Sequence, residues 1–153
     1  MCIIEEISEN NYENWKFIFK KYLLFYNSKL SEKIIRNTWN NIINKEKPIN
    51  CIGCYETSKI KKKQLVGIMN FIYHKSTWIE NNVCYLEDLF ILEDYRSRGY
   101  ASALFNHLTT ICNINNVNRI YWKTKSDNHI AQSLYNKLAL KTNFLEYEIL
   151  LKN

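Results

Sequence analysis

Glycine and proline are scarce in this chain, which has 153 residues but only three glycines and one proline. Phosphate-binding loops that depend on several glycines are absent, since there is neither a P-loop ending in Gly-Lys-Ser/Thr nor a three-glycine dinucleotide fingerprint. No repeat or low-complexity linker divides the chain. Because 46% of the residues are hydrophobic and 24% charged, we expect a folded single domain over residues 1–153.

Cysteines are few, and their number and spacing argue against both disulfides and metal. There are five, an odd number, and acidic residues follow the first four positions, so no secretory signal is expected. Cys51 and Cys54 have the spacing of half a zinc site, but no second pair accompanies them. We therefore expect reduced thiols in a cytoplasmic protein that uses no metal. No apolar run approaches the roughly 20 residues that span a bilayer, so no membrane association is expected.

The formal net charge is +6, which would suit nucleic-acid binding only if the positive charges clustered on one surface. The basic run Lys61-Lys62-Lys63 lies between two strand-like segments, and we interpret it as the solvated tip of a β-hairpin. No nucleic-acid partner is therefore predicted. The charge would instead favour a polyanionic cofactor.

Hydrophobic periodicity predicts an α/β (α+β) protein with a mixed sheet flanked by helices, in the order β-α-α-β-β-β-α-β-α-β. Strands are expected at 2–7, 50–56, 65–74, 83–91, 117–124 and 144–151, and helices at 10–27, from Ser31 to about 45, from Gly99 and after Asp127. Ser8 and Ser31 could cap the first two helices. Asp127 would cap the last helix, whose Ile130, Ala131, Leu134 and Leu138 would point inward. The apolar segments 85–91 and 118–124 would occupy central positions of the sheet.

The most informative segment is 85–104, where an apolar strand and a short turn lead into an amphipathic helix. The turn holds Arg96, Arg98 and Gly99, although the chain has only four arginines against 17 lysines. A helix N-terminus offers unpaired N–H groups and a positive dipole end, arginine binds phosphate in a bidentate manner, and glycine lets backbone approach closely. The pattern favours a pyrophosphate cradle; the alternative is a capped helix whose arginines face solvent.

A second pattern, Asn128-x-x-Ala131-x-x-x-Tyr135, lies on the helix that follows the next strand. Asn128 and Tyr135 are seven positions apart, which is two turns along one helix face. The amide could hydrogen-bond an extended ligand that carries amides, and the phenol could donate a proton. Alternatively, Asn128 assists the helix cap and Tyr135 packs in the core with its hydroxyl at the edge.

Two acids, Glu87 and Asp88, interrupt the apolar strand at 83–91. Because successive strand residues point to opposite faces, a regular strand cannot shield both, which indicates a bulge or a cleft. An unpartnered buried carboxylate is costly, so one interpretation is a salt bridge at the strand edge or a cap on a neighbouring segment. The other is a general base or an anchor for a cationic substrate.

Together these residues resemble the GNAT superfamily of acyl-CoA-dependent N-acetyltransferases. Arg96, Gly99 and Ala101 match the family signature Arg/Gln-x-x-Gly-x-Gly/Ala, and the Asn128 pattern follows in the family's order and separation. The resemblance implies a mostly antiparallel sheet. Glu93-Asp94 departs from the family pattern, since relatives often carry proline and small residues there.

A narrower resemblance covers residues 83–150. This region is similar to the branch that holds fungal histone/polyamine-type and D-amino-acid acetyltransferases and their bacterial relatives. The letters Tyr-Leu-Glu-Asp at 85–88 also resemble diamine (spermidine/spermine) acetyltransferases. Residues 1–80 agree with the family only in the order of elements.

The resemblance implies acetyl-CoA as the cofactor and assigns roles to individual residues. The pyrophosphate would bind backbone N–H groups of the turn, the pantetheine arm would pair with the strand edge, and Asn128 and Lys137 would contact the arm and the adenosine phosphates. The cofactor-binding residues would be Phe90, Ile91, Leu92, Arg96, Ser97, Arg98, Gly99, Tyr100, Ala101, Ser102, Asn128 and Lys137.

Catalysis and substrate binding are implied in the same way. Glu87 would take the ammonium proton through water, a strand N–H near Phe90 would stabilise the oxyanion, and Tyr135 would protonate the thiolate. Glu87, Asp88 and Tyr26 would contact the substrate.

The predicted function is acetyl transfer from acetyl-CoA to a primary amine of a small cationic molecule, such as a polyamine, a lysine analogue or an amino acid, by direct attack in a ternary complex. The alternatives are a protein lysine or N-terminal acetyltransferase and a catalytically silent acyl-CoA-binding module. Because final strands of this family often pair across a dimer, the alternating segment 144–151 also predicts a homodimer.

Overall fold

Five strands form one sheet in the order β1-β2-β3-β4-β5. The computed structural model describes residues 2–57 and 63–151, so Lys61 and Lys62 of the predicted hairpin tip lie outside the described residues. Neighbouring strands are antiparallel except for β4 and β5, which are parallel, and this confirms the mixed, mostly antiparallel sheet. The strands are β1 (Cys2–Glu6), β2 (Ile49–Glu56), β3 (Gln64–Ser76), β4 (Ile79–Ile91) and β5 (Arg119–Tyr121).

Four α-helices accompany the sheet: α1 (Tyr12–Phe25), α2 (Glu32–Ile43), α3 (Tyr100–Ile114) and α4 (His129–Leu138). The predicted caps hold for the first two helical segments. Ser8 precedes a 3-10 turn at Glu9–Asn11 with a reciprocal capping box, and the Ser31 hydroxyl accepts from the Ile34 N–H at 3.3 Å. These caps satisfy N–H groups that a helix start leaves unpaired.

The chain forms two compact units, Met1–Trp122 and Lys123–Asn153. In the first unit, one core cluster joins α1 and α2 to the sheet, with Trp15, Trp39 and Ile68 at most 6% exposed. Helix α3 buries most of its apolar positions, including Leu104 and Leu108, which are fully buried, while Ala101 and Ile111 are half-buried. The sheet is thus covered where its strands are most apolar.

The second unit differs from the prediction in three ways. Asn128, and not Asp127, is the N-cap of α4. Ile130 and Leu138 are 89% and 39% exposed instead of inward, and no residue of α4 is buried. The segment 144–151 forms no strand among the described residues. A unit of about 30 residues is too small to form a hydrophobic core of its own. The apolar spacing of α4 therefore does not lead to burial of its side chains.

The segment predicted at 117–124 is also shorter and less central than expected. It forms the three-residue strand β5 at the edge of the sheet, not a central strand. Its register with β4 runs only from Val83↔Arg119 to Tyr85↔Tyr121. Because the two strands part after this point, β4 continues from Leu86 to Ile91 with one edge that pairs with no strand of the described sheet.

Candidate active site

The two acids of β4 lie at a β-bulge. Asn70 of β3 pairs with Asp88, whereas the next residue, Phe71, pairs with Leu86, so Glu87 is the extra residue on β4. This confirms the bulge that the adjacent acids predicted. A bulge re-aims a side chain that a regular pleat would send to the opposite face. Asp88 lies against α1, because the Tyr22 hydroxyl of that helix hydrogen-bonds its carboxylate.

Asp88 is held by two hydrogen bonds from neighbouring elements. The Asn70 amide donates through Nδ2 to Asp88 Oδ2 at 2.8 Å, and the Tyr22 hydroxyl donates to the same carboxylate. Desolvation raises the pKa of Asp88, and these two bonds oppose the rise. Burial, followed by the charge of Asp88, raises the pKa of the Tyr22 hydroxyl as well, so it remains a donor. Glu87, in contrast, is exposed.

Aromatic side chains border the acids. The ring of Tyr22 lies 5.1 Å from that of Tyr26 and 6.1 Å from that of Phe90. Tyr26, the C-cap residue of α1, therefore packs against the ring of Tyr22, whose hydroxyl contacts Asp88. The site combines an apolar aromatic surface with carboxylates, which suits a ligand that carries both alkyl and cationic parts.

The open edge of β4 lies directly after the bulge. The Leu92 N–H donates to the Val66 carbonyl at 2.9 Å, so this amide faces β3. Because alternate residues of a strand face the same neighbour, the amides of Ile91 and Leu89 face the open edge instead. The Ile91 carbonyl accepts from Arg96 Nε at 3.0 Å, which ties the following turn to this edge.

The turn between β4 and α3 leaves the start of α3 open. Ser97 and Gly99 have positive φ angles of 59° and 80°, and Gly99 is the N-cap of α3 without a side-chain hydrogen bond. The first intrahelical bond runs from the Ala103 N–H to the Gly99 carbonyl at 3.0 Å. The preceding amides point out of the helix end, as an anion requires. A Cβ at Gly99 would meet nothing within 4 Å, so backbone conformation, and not space, calls for glycine here.

The two arginines of the turn have different surroundings. The Arg96 guanidinium lies over the rings of Phe90 and Phe25, at 5.1 and 5.6 Å from the centroids. Arg98 is turned toward Glu56, with Nη1 3.0 Å from Oε1, and its Nη2 donates to the Asp94 carbonyl at 2.8 Å. Arg98 therefore supports the turn through these contacts, while Arg96 lies beside the strand edge and the aromatic surface.

Tyr100 and Glu56 complete the support of the turn. The Tyr100 hydroxyl donates to Glu56 Oε1 at 2.7 Å, the oxygen that also accepts from Arg98. This hydrogen bond, together with the Arg98 charge, lowers the pKa of Glu56. Ala101 and Ser102 occupy the first turn of α3, and both are half-buried. The turn is thus braced by side chains. Of the amides expected to bind a pyrophosphate, that of Arg96 does not face outward, because it donates to the Glu93 carbonyl at 3.1 Å.

Asn128, Tyr135 and Lys137 belong to the second unit. The Asn128 Oδ1 accepts from the Ala131 N–H, and its Nδ2 donates to Thr124 Oγ1, both at 3.3 Å. This is the capping role considered for Asn128 as the alternative to ligand binding. Tyr135 is half-buried on α4, and Lys137 is exposed in its last turn.

The first unit thus brings together Glu87, Asp88, Tyr26, the open edge of β4 and the turn that follows it. Two further residues of this site were missed by sequence reasoning, Asn70 and Tyr22. Asn70 is the one polar side chain in the apolar run of β3, which was the available signal. Tyr22 lies among apolar residues that recur at helical spacing along α1, and nothing in the sequence pairs it with Asp88.

Comparison with known proteins agrees with this architecture. The sequence profile of the Acetyltransferase (GNAT) family matches residues 7–139. The D-amino-acid N-acetyltransferase HPA3 of Saccharomyces cerevisiae (strain ATCC 204508 / S288c) is 23% identical over 146 residues, covering 95% of this chain and 89% of the yeast protein.

Solved structures share the fold. One described as a probable acetyltransferase has a TM-score of 0.82 at 18% identity and covers 99% of each chain. AAC(6')-Iy in complex with the bisubstrate analog CoA-S-monomethyl-acetylneamine has a TM-score of 0.78 at 15% identity, covering 100% of this chain and 98% of the other. At these identities, the likeness concerns the fold.

The chain belongs to the Acetyltransferase (GNAT) family and is an N-acetyltransferase. Enzymes of this family take the acetyl group from acetyl-CoA. The uncapped start of α3 fits a pyrophosphate, and the unpaired edge of β4 fits an arm that carries amides. Among the described residues, no cluster of His, Cys, Asp and Glu side chains could hold a metal ion, and no helix is long and apolar enough to cross a membrane.

Proposed function

We propose that this enzyme acetylates a primary amine of a small cationic molecule, such as a polyamine, a lysine analogue or an amino acid, in a ternary complex. The observation that carries the proposal is the pair of acids at the β4 bulge, where Tyr22 hydrogen-bonds Asp88 and its ring packs against those of Tyr26 and Phe90. Carboxylates attract the ammonium, and the rings pack against its alkyl chain. The similarity to a yeast D-amino-acid acetyltransferase also supports a small acceptor.

The proposed roles of individual residues follow the family pattern. Acetyl-CoA, when bound, supplies the thioester whose acetyl group is transferred. Backbone N–H groups from Ser97 to Ser102 hold its pyrophosphate. Asn128 contacts the pantetheine arm, and Lys137 contacts the adenosine phosphates. Glu87, exposed beside the open edge, accepts the ammonium proton through water, and Tyr135 holds the proton that the leaving sulfur takes up.

The strand register limits which N–H groups could stabilise the oxyanion. The amides of Leu89 and Ile91 face the open edge, on either side of Phe90. We therefore assign the oxyanion to one of these two N–H groups, since a preorganised donor must point toward the developing charge. The amide of Phe90 faces β3 and belongs to the hydrogen-bond ladder between β3 and β4.

We further propose that the enzyme acts in the cytoplasm as a homodimer. Five free cysteines suit a reducing compartment. The segment 144–151 alternates apolar side chains that are exposed, with Phe144 at 81% and Ile149 at 86%. A second copy of this chain would cover these side chains and pair with the free backbone.

The test is an amine panel with acetyl-CoA, in which release of free thiol is measured. Turnover on polyamines, lysine analogues or amino acids is expected, because the site offers carboxylates to each of them. The absence of turnover on every small amine, together with acetylation of peptide tails detected by mass spectrometry, would establish the protein-acceptor alternative instead. Binding of CoA with no acetylation at all would indicate a silent binding module.

Tyr135 provides a second test. Replacing Tyr135 by Phe removes the hydroxyl and keeps the ring, so kcat is expected to fall by roughly 10²-fold or more, the usual contribution of a general acid. The dissociation constant for CoA, measured by calorimetry, should remain within about twofold. An unchanged kcat would leave Tyr135 with a packing role only.

A further inference from the structure

Two free cysteines that are far apart in the sequence meet on the pair of strands β1 and β2. The Sγ atoms of Cys2 and Cys54 are in hydrogen-bond contact at 2.9 Å, although 52 positions separate the residues. The strand register explains this contact. Ile4 pairs with Cys54 and Cys2 pairs with Glu56, so the two cysteines are diagonal neighbours across antiparallel strands. Because residues two apart along a strand face the same side, both thiols lie on one face of the sheet.

The two thiols differ in their access to solvent. Cys2 is half-buried, whereas Cys54 is fully buried. Burial, followed by the hydrogen bond with Cys2, raises the pKa of the Cys54 thiol. Since the thiolate is the species that reacts with a disulfide, Cys54 by itself is shielded from reagents in solution. A reaction of this pair with such a reagent therefore begins at Cys2.

The other cysteines lack this access. Cys84 of β4 and Cys112 of α3 also hydrogen-bond to each other, but both are at most 2% exposed. Cys51, on the same strand as Cys54, is 2% exposed as well. In the part of the chain that the structure describes, the contact between Cys2 and Cys54 is thus the one thiol pair that a reagent can reach from solvent.

We propose that Cys2 and Cys54 are a reversible oxidation site, which forms a disulfide by exchange with low-molecular-weight disulfides. The Cys2 thiolate attacks one sulfur of the small disulfide, whose S–S bond breaks, and one small thiolate leaves and takes up a proton. Cys54 then loses its proton to water, and its sulfur attacks the Cys2 sulfur of the mixed disulfide. The protein disulfide forms, the second small thiol leaves, and the small disulfide has been reduced to two thiols while the protein has been oxidised.

The bond fastens the edge of the sheet. Strand β1 pairs with β2 alone in the described sheet, so one of its edges has no strand partner. A covalent link between residues 52 positions apart restricts the unfolded chain more than the folded one, in which the two sulfurs already touch. Oxidation therefore stabilises the fold. This site goes beyond acetyl transfer, because neither cysteine belongs to the acid site or to the turn into α3.

The test uses the full chain, incubated with glutathione disulfide in mildly alkaline buffer, then alkylated in denaturant and analysed by mass spectrometry. We expect the loss of two hydrogen atoms and a bond that fragment spectra place between Cys2 and Cys54, with Cys51, Cys84 and Cys112 alkylated. The Tm, measured by calorimetry, should rise by about 5 °C or more. Dithiothreitol should reverse both changes.

Three variants separate this site from general thiol chemistry. Cys2→Ser removes the thiol that reagents reach and should abolish both the bond and the rise in Tm. Cys54→Ala removes the buried partner, so the glutathione adduct on Cys2 should persist. Cys51→Ala, at the other buried thiol of β2, is the matched control and should still form the bond. If Cys54→Ala folds poorly, the half-buried change Cys2→Ser still decides the question.

Three results would overturn the proposal. The first is a wild-type chain that keeps a glutathione adduct on Cys2 while Cys54 is alkylated. The second is a bond between Cys84 and Cys112 that forms as readily as the one between Cys2 and Cys54. The third is a rise in Tm that is the same in Cys2→Ser as in the wild type.

Discussion

Glu87 and Asp88 are neighbours in the sequence, but their environments separate them. The bulge exposes Glu87, whereas Asp88 is half-buried against Tyr22 and Asn70. Two carboxylates with different surroundings can take different roles, one moving a proton and the other holding a charge. Such a site also carries a stability penalty, because a desolvated carboxylate favours its neutral form.

That penalty predicts how stability depends on pH. Burial raises the pKa of folded Asp88 above its ordinary value of 3.8, so folding is disfavoured as the pH rises from 3.8 through the folded value. Asp88→Asn removes this effect and keeps an oxygen that can accept from Tyr22. Its free energy of unfolding, measured with urea, should exceed that of the wild type at pH 7.

Below pH 3.8, the advantage of Asp88→Asn should disappear, because Asp88 is then protonated in both the folded and unfolded chains. Glu87→Gln, at an exposed position, is the control and should change little at either pH. A difference between Asp88→Asn and the wild type that is the same at pH 3 and pH 7 would show that packing, not ionisation, is responsible.

At the scale of elements, the turn into α3 is shaped by backbone conformation and braced by Arg98 and Tyr100 on Glu56. Gly99→Ala meets no steric contact, so its cost is the left-handed φ alone, about 1 kcal/mol of unfolding free energy. We also expect weaker CoA binding, measured by calorimetry, because the altered turn would displace the N–H groups. Gly99→Asn, which tolerates positive φ, should lose less.

Gly67 provides the contrast, since its role is spatial. A Cβ there would collide with Ile91 Cδ1 and lie 3.0 Å from the Phe90 carbonyl oxygen. Gly67→Ala should therefore destabilise the protein more than Gly99→Ala, because β4 itself must move. If Gly99→Ala cost as much as Gly67→Ala, an unrecognised contact at the turn would be required.

At the scale of the whole molecule, the exposed apolar segment predicts self-association. Light scattering coupled to size exclusion should give twice the chain mass of 18.4 kDa. Phe144→Lys combined with Ile149→Lys places charges where a partner copy would pack and should shift the protein to the monomer. Leu24→Lys, at an exposed apolar position of α1, is the control. A wild-type monomer at micromolar concentration would contradict the homodimer.

Several features followed from the sequence alone because they depend on local chemistry. Ser31 caps α2, the apolar spacing of α3 selects the buried Leu104 and Leu108, and the motif around Gly99 marks an open helix start. The adjacent acids required an irregular strand, and the bulge at Glu87 confirms it. Each of these features depends only on residues that are close together in the sequence.

Other features were decided only by the tertiary structure. Nothing local makes Asn70 the partner of Asp88, since 18 positions separate them and strand register brings them together. The contact of Tyr22 with Asp88 depends on where α1 crosses the sheet. Periodicity predicted inward side chains on α4 and a final strand at 144–151, and both were wrong because burial and pairing require a partner surface that a sequence pattern does not supply.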